Sequence, residues 1–212
     1  MNKFVLFILL IPAMAFAQGN KQLALNEGWT FALDPVKIGE ADKWYTAGFA
    51  SGSFDKVNVP HSFSVDKRYF NYTGTAWYFK KFQAAVVPTG YRAFLRFDAV
   101  FYKTKVWFNG QLVGTHEGGY TQFEWDITPW LQSKNTLSLL VNNEWDTTTI
   151  PGAKTAGTTL RPNATQLYAW MNYGGITRPV YLVIRPDLYV QKAQVIAEPD
   201  LQKAMRVSGS KQ

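Results

Sequence analysis

A chain of 212 residues with 47% hydrophobic content suits one folded domain with room for the stub of a second, and excludes wholesale disorder. The formal charge of +7 comes from 22 basic against 15 acidic side chains, but the basic residues are scattered, with no run longer than a pair such as Lys80-Lys81. Scatter of this kind describes a solvated surface rather than a nucleic-acid groove, and the absence of Cys excludes disulfides, thiolate metal sites, a Cys nucleophile and a lipid-modified Cys.

The first seventeen residues read as a secretory signal peptide. Lys3 gives a positive start, Phe4 to Met14 is an apolar run too short to span a bilayer, and Ala15-Phe16-Ala17 is a small-x-small cleavage site before Gln18. The expected location is the periplasm or the exterior of a bacterium. With no disulfide to help, the mature chain must rest on its own core, which about 190 residues can supply.

From Leu25 the chain reads as short strands. Trp29, Phe31 and Leu33 alternate, and Asp34-Pro35 ends that run. Residues 39–53 are polar and glycine-bearing, with Trp44 and Tyr45 as anchors and room for a helical turn over Glu40 to Tyr45. Trp77 to Phe82 alternates across two faces, and Pro88-Thr89-Gly90 is a turn. Phe94, Arg96 and Asp98 then alternate against Leu95, Phe97 and Ala99. Tyr102 to Phe108 alternates again, and Asn109-Gly110 follows directly. Asn and Gly tolerate the positive φ of a primed turn, so this is a hairpin returning as Gln111 to His116. Tyr120 to Ile127, Thr136 to Val141 and Val180 to Ile184 are further extended runs. Residues 146–166 form a long surface loop, of a length that is often functional. Pro186 marks the end of the domain, and Tyr189 to Glu198 alternates once more. Roughly eight to ten short strands with almost no helical periodicity mean an all-β sandwich or jelly roll.

Several segments resemble one family. FDAV, VWFNG and HEGGYTQFEWDIT, with LNEGW, VPHSF and AWYFKKF before them and VNNEW, TIPG and GGITRPV after them, are similar to the N-terminal sugar-binding domain of glycoside hydrolase family 2. The β-glucuronidase branch is the nearer match and β-galactosidases the second. The resemblance covers Leu25 to Pro186. It implies a jelly-roll, galactose-binding-like β-sandwich over residues 18–187, with 188–212 a stub of a following Ig-like domain or a disordered tail.

The resemblance also places the chemistry elsewhere. Glycoside hydrolysis needs two carboxylates across one scissile bond, and in the family these lie on a separate barrel. The local acids Asp98, Glu117, Glu124 and Asp126 read as structural, so no catalytic residue, metal or cofactor is assigned. His61 and His116 lack metal-ligand spacing, and no nucleophile elbow or dinucleotide fingerprint occurs. Arg92, Arg96, Lys103 and Lys105 give only a weak version of a nucleic-acid stripe. In the family two segments lean over the barrel: here His61 to Lys67 and Leu167 to Tyr173. The substrate contacts implied are Ser64, Asp66, Tyr168, Trp170, Asn172 and Tyr173. Tyr168, Trp170 and Tyr173 either stack on a sugar face or plug the end of the sandwich. Two positions depart from the pattern: Ala169 stands where the family commonly has Asp, and Ser64 where glucuronidase-like members often have Asn. The expected partner is a carbohydrate, with a separate or downstream catalytic barrel, no nucleic acid and no membrane after signal cleavage. The alternatives are a free-standing carbohydrate-binding module and an interaction domain that binds no sugar.

Overall fold

The computed structural model describes residues 20–46, 54–146, 148–150, 172–190 and 193–195. Twelve strands lie among them. They are β1 (Lys21–Ala24), β2 (Trp29–Leu33), β3 (Asp55–Val57), β4 (His61–Ser62), β5 (Thr75–Gln83), β6 (Tyr91–Phe97), β7 (Lys103–Phe108), β8 (Gln111–Glu117), β9 (Phe123–Asp126), β10 (Lys134–Asn142), β11 (Gly175–Ile176) and β12 (Val180–Pro186). All pairings are antiparallel. One sheet has the order β1-β12-β6-β9, a second β3-β2-β5-β10-β7-β8, and a third consists of β11 and β4. The chain is an all-β jelly-roll sandwich.

The period-2 pattern explains the layering. Ala93, Leu95 and Phe97 of β6 and Val180 and Leu182 of β12 face one side. They meet Trp29 and Phe31 of β2, Tyr78 of β5, Val106 and Phe108 of β7 and Leu137, Leu139 and Val141 of β10 in one buried cluster. Each large side chain buried there contributes about 1.5–3 kcal/mol. The indole N–H of Trp29 donates to the Leu25 carbonyl at 2.6 Å, so the core carries its polar tip satisfied.

The six-stranded sheet also buries aromatic rings on its outer face. Trp77 lies between Phe79 and Trp107, with ring centroids at 5.9 and 5.2 Å. The excursion between β2 and β3 covers them: Tyr45 stacks on Trp107 at 4.9 Å, Trp44 meets Trp77 at 6.0 Å, and Phe54 stacks on Phe79 at 5.5 Å. Asp34 fastens this excursion. It is 1% exposed and accepts hydrogen bonds from the Ile38 and Gly39 amides, both at 2.9 Å, and from the Trp77 indole N–H at 3.1 Å.

The Asn109-Gly110 hairpin forms between β7 and β8, with φ of 50° and 81° at its two central residues. Asn109 does more than turn the chain. Its amide donates to the Trp130 carbonyl at 2.8 Å and its carbonyl oxygen accepts from the Thr136 amide at 2.8 Å, tying the hairpin to the start of β10. Other expectations need adjustment. The run from Tyr120 pairs only over β9, because Gly118 and Gly119 carry the chain around Phe101 first; a Cβ on Gly119 would lie 2.1 Å from that ring. The expected helical turn over Glu40 to Tyr45 is a set of hydrogen-bonded turns, closed by Trp44 N to Gly39 O at 2.8 Å. Strand β1 carries no strand signal in the sequence, since KQLA is exposed along its whole length and shows no apolar face. Of the run Tyr189 to Glu198, residues 189–190 and 193–195 are in no strand, and the rest lies outside the described residues. The signal segment and most of the loop 146–166 lie outside them too.

Replacing Asp34 by Ala leaves three donors without their acceptor and is expected to destabilise the fold by about 2–4 kcal/mol. Val36→Ala, at an exposed neighbour, should stay within about 0.5 kcal/mol. Urea denaturation of the two variants checks this; equal midpoints would remove Asp34 from the role assigned to it.

Candidate functional site

The smallest sheet positions the candidate site at one end of the sandwich. β4 pairs with β11, Gly175 opposite Ser62 and Ile176 opposite His61. Gly175 also exchanges backbone hydrogen bonds with Phe101, at 2.8 and 3.1 Å. The Tyr78 hydroxyl docks this small sheet on the core. It meets His61 Nδ1 at 2.8 Å, donates to the His61 carbonyl at 3.2 Å and is hydrogen-bonded by the Ile176 backbone. Burial pushes this phenol well above its ordinary range. The fit is tight: a Cβ on Gly175 would sit 2.3 Å from the His61 oxygen and 2.5 Å from the Tyr78 hydroxyl, and one on Gly174 would sit 2.0 Å from the Phe63 ring. The GGI sequence is therefore a packing requirement.

Beyond β4 and before β11 the described parts of the two segments expected to carry substrate contacts run side by side. Phe63 N donates to Gly174 O at 2.9 Å. Ser64 Oγ donates to Asn172 O at 2.6 Å and accepts from Gly174 N at 3.1 Å, and the residue is 1% exposed. Its hydroxyl thus joins the two segments. Asn172 Nδ2 donates to the Asn143 carbonyl at 2.7 Å, while its Oδ1 is buried and has no hydrogen-bond partner among the described residues. Asn143, fully buried, accepts from Gly74 N at 2.9 Å and donates to Tyr72 O at 3.3 Å, so it braces a third loop against the same point. Tyr173 is 43% exposed. Asp66 lies on the first segment, held by Arg68 at 2.7 Å, and the Arg68 hydrogen bonds keep its carboxyl below the usual range. Arg68 also pairs with Asp55 at 3.0 Å, and Tyr69 donates to Asp55 at 2.9 Å.

Of the six residues expected to contact substrate, the structure thus brings Ser64, Asn172 and Tyr173 together and puts Asp66 just beyond. Tyr168 and Trp170 lie outside the described residues, as does Ala169. Sequence reasoning missed the supports: Tyr78, Asn143 and the Asp55–Arg68 pair. The alternation at 77–82 marks Tyr78 only as one of two faces, and the second Asn of VNNEW gives no sign of its partners.

The acids read as structural are paired. Asp98 lies 3.1 Å from Arg96, Glu117 lies 3.6 Å from Lys103, and Asp126 and Glu124 bind Arg92 and Arg185. Arg178 donates to the Tyr120 carbonyl at 3.3 Å, and His116 stacks on Phe123 at 4.0 Å. Among the described residues no group of three or more His, Asp or Glu is placed to hold a metal. A cleft of about 420 Å³ crosses the outer face of the six-stranded sheet. Its lysines are matched: Lys37 with Glu144 at 2.9 Å, Lys105 with Glu40 at 2.7 Å, and Lys103 with Glu117 and Asp146 at 3.6 Å each. The basic surplus is not gathered there.

Burial depresses both histidines below the ordinary value of 6.5, His61 against the opposing pull of Asp66 and Asp55. The unfolded chain therefore takes up these protons first. Stability should be whole above about pH 6.5 and fall as pH drops below it, ahead of the loss from carboxylates such as Asp66 and Glu144, which are lowered and titrate further down. Urea midpoints measured across this window should decline toward acid and decline less in His61→Gln; a flat profile in the parent chain contradicts the burial of these rings.

Comparison with known proteins follows the geometry. The sequence model of the glycosyl hydrolases family 2 sugar binding domain matches residues 22–186. The β-glucuronidase of Sus scrofa is 30% identical over 212 residues, covering 87% of this chain and 31% of that protein. A β-galactosidase of Thermoanaerobacter pseudethanolicus is 27% identical over 184 residues, covering 85% of this chain and 23% of that protein. Among solved structures, the β-glucuronidase of an uncultured Clostridium superposes with a TM-score of 0.68 at 27% identity, over 85% of this chain and 31% of the other. A Ruminococcus gnavus β-glucuronidase in complex with D-glucuronic acid gives 0.67 at 26%, over 80% and 30%. The chain spans less than a third of the length of these relatives. A domain-wide sequence match and superposition of the sandwich on solved members make one conclusion: this chain belongs to glycoside hydrolase family 2 and carries its sugar-binding domain.

Proposed function

We propose that this domain supplies part of the rim of a sugar pocket in an exported family 2 glycoside hydrolase that cleaves β-glucuronides or, as the second choice, β-galactosides. The carboxylate pair for the reaction comes from a catalytic barrel outside these residues. The observation that carries the reading is the arrangement of Asn172 and Tyr173. One is held by Asn143 and has a buried carbonyl oxygen with no donor among the described residues; the other offers an exposed aromatic ring beside it. An unpaired buried acceptor is costly unless something donates to it, and sugar hydroxyls are donors that arrive with an apolar ring face suited to an aromatic ring. Ser64 contributes by fixing Asn172 through its backbone carbonyl. Asp66, held by Arg68, offers its remaining acceptor sites at the rim. Tyr168 and Trp170 belong to the same segment and are proposed as its stacking residues. The relatives support the choice of sugar, since most are β-glucuronidases and one is bound to D-glucuronic acid.

Titration of nitrophenyl β-glucuronide and β-galactoside into the purified chain should shift the Asn172 side-chain amide and Tyr173 resonances at millimolar ligand, leave the Asn109 hairpin unmoved, and fail with Asn172→Ala. The chain alone should release no nitrophenol. Turnover by the isolated chain would place the acids here and sink the reading. Absence of any shift at Asn172 would remove the sugar.

Export rests on Lys3, the apolar run Phe4 to Met14 and the Ala15-Phe16-Ala17 site. The intact mass of protein recovered from secreting cells should correspond to a chain beginning at Gln18; retention of Met1 would refute cleavage.

A further inference from the structure

The outer face of the sheet β1-β12-β6-β9 ends in an arrangement that the pocket reading does not use. Arg185 of β12 lies directly opposite Arg92 of β6 in the ladder. Like charges so placed repel, and each guanidinium turns to an acid on β9: Arg92 to Asp126, Arg185 to Glu124. To reach Glu124, Arg185 crosses the ring of Phe94, with its central carbon 3.8 Å from the centroid. Tyr189 then closes over it. The Arg185 guanidinium lies 4.2 Å from the Tyr189 centroid, and Tyr189 meets Phe94 edge-on at 5.8 Å. The guanidinium sits in the corner made by the two rings with its side chain only 12% exposed, and Phe94, on the outward side of the sheet, is left 6% exposed. The backbone agrees: after Pro186, the last residue of β12, Asp187 N donates to Gly90 O at 2.8 Å.

We propose that Arg185 and Tyr189 form a clasp that fixes the direction in which the chain leaves the sandwich. The rigid unit ends at Tyr189 and not at Pro186, where the paired strand and the family match both stop. The residues beyond Tyr189 start from a set point on the outer face of this sheet instead of swivelling about Pro186. Arg185 is a positioning residue: its guanidinium is what both rings contact, a role the compact ammonium of Lys does not fill. The inference is independent of the pocket reading and stands or falls without it.

Backbone 15N relaxation on the full chain tests it. In the parent protein Leu188 and Tyr189 should have order parameters near the rigid value of about 0.85, and in Tyr189→Ala they should fall below about 0.6. Arg185→Lys, which keeps the charge facing Glu124, should release the same residues while amide protection in the rest of β12 persists. Val190→Ala, at an exposed position, should change nothing. An order parameter already below about 0.6 at Leu188 in the parent chain overturns the clasp, and so does an unchanged Leu188 in Tyr189→Ala. If Arg185→Lys disturbs β12 itself, Tyr189→Ala decides alone, because it removes only the ring that closes over the guanidinium.

Discussion

The six-stranded sheet is buried on its inner face and, around Trp77 and Trp107, on its outer face as well, and that constraint shapes much of this domain. A sheet with one wet face needs only alternate apolar residues. Here Trp77 and Trp107 project away from the main core and still lie covered, by rings carried on the excursion that follows β2. An excursion with so little regular structure holds its place only if its backbone donors are met. Asp34 meets two of them and an indole N–H at once, from a position 1% exposed. The carboxylate is thus the link between the strand that ends there and the second aromatic layer.

The sequence shows the strands where burial is one-sided and hides them where it is not. Trp29 to Leu33, Phe94 to Ala99 and Thr136 to Val141 announce themselves by alternation, and Asn109-Gly110 announces its hairpin by chemistry. β1 has no buried residue, and β4 and β11 have two residues each, too short for any period to register. Asp34 was read as a strand end, which it is; that it is buried follows only from Trp77, forty-three positions away, being near enough to donate to it. Local pattern carries no such information.

The site was legible in a different way. Its two segments were placed by resemblance, and the structure joins them through Ser64, Gly174 and Asn172. What the residues alone did not reveal is how they are held. Tyr78 looks in sequence like one more core aromatic, yet its hydroxyl meets both strands of the small sheet. Gly174 and Gly175 resemble any strand-end pair until the Phe63 ring and the His61 carbonyl are seen where side chains would be.

This way of holding the rim separates position from preference. Phe63, Ser64, Asn143 and Gly175 fix the segments through main-chain groups and close packing. Backbone hydrogen bonds do not depend on the side chains at the tips, so those can change without moving the frame. Ser64 shows the point from within: at a place where the family resemblance implies Asn, its hydroxyl is taken by two main-chain partners and serves the frame. Ala169, where the family resemblance implies a carboxylate, can accept no hydrogen bond from a sugar hydroxyl. On the proposed reading, a rim so held keeps its geometry whichever side chains stand at its tips, and sugar contacts fall to Asn172, Tyr173 and their neighbours.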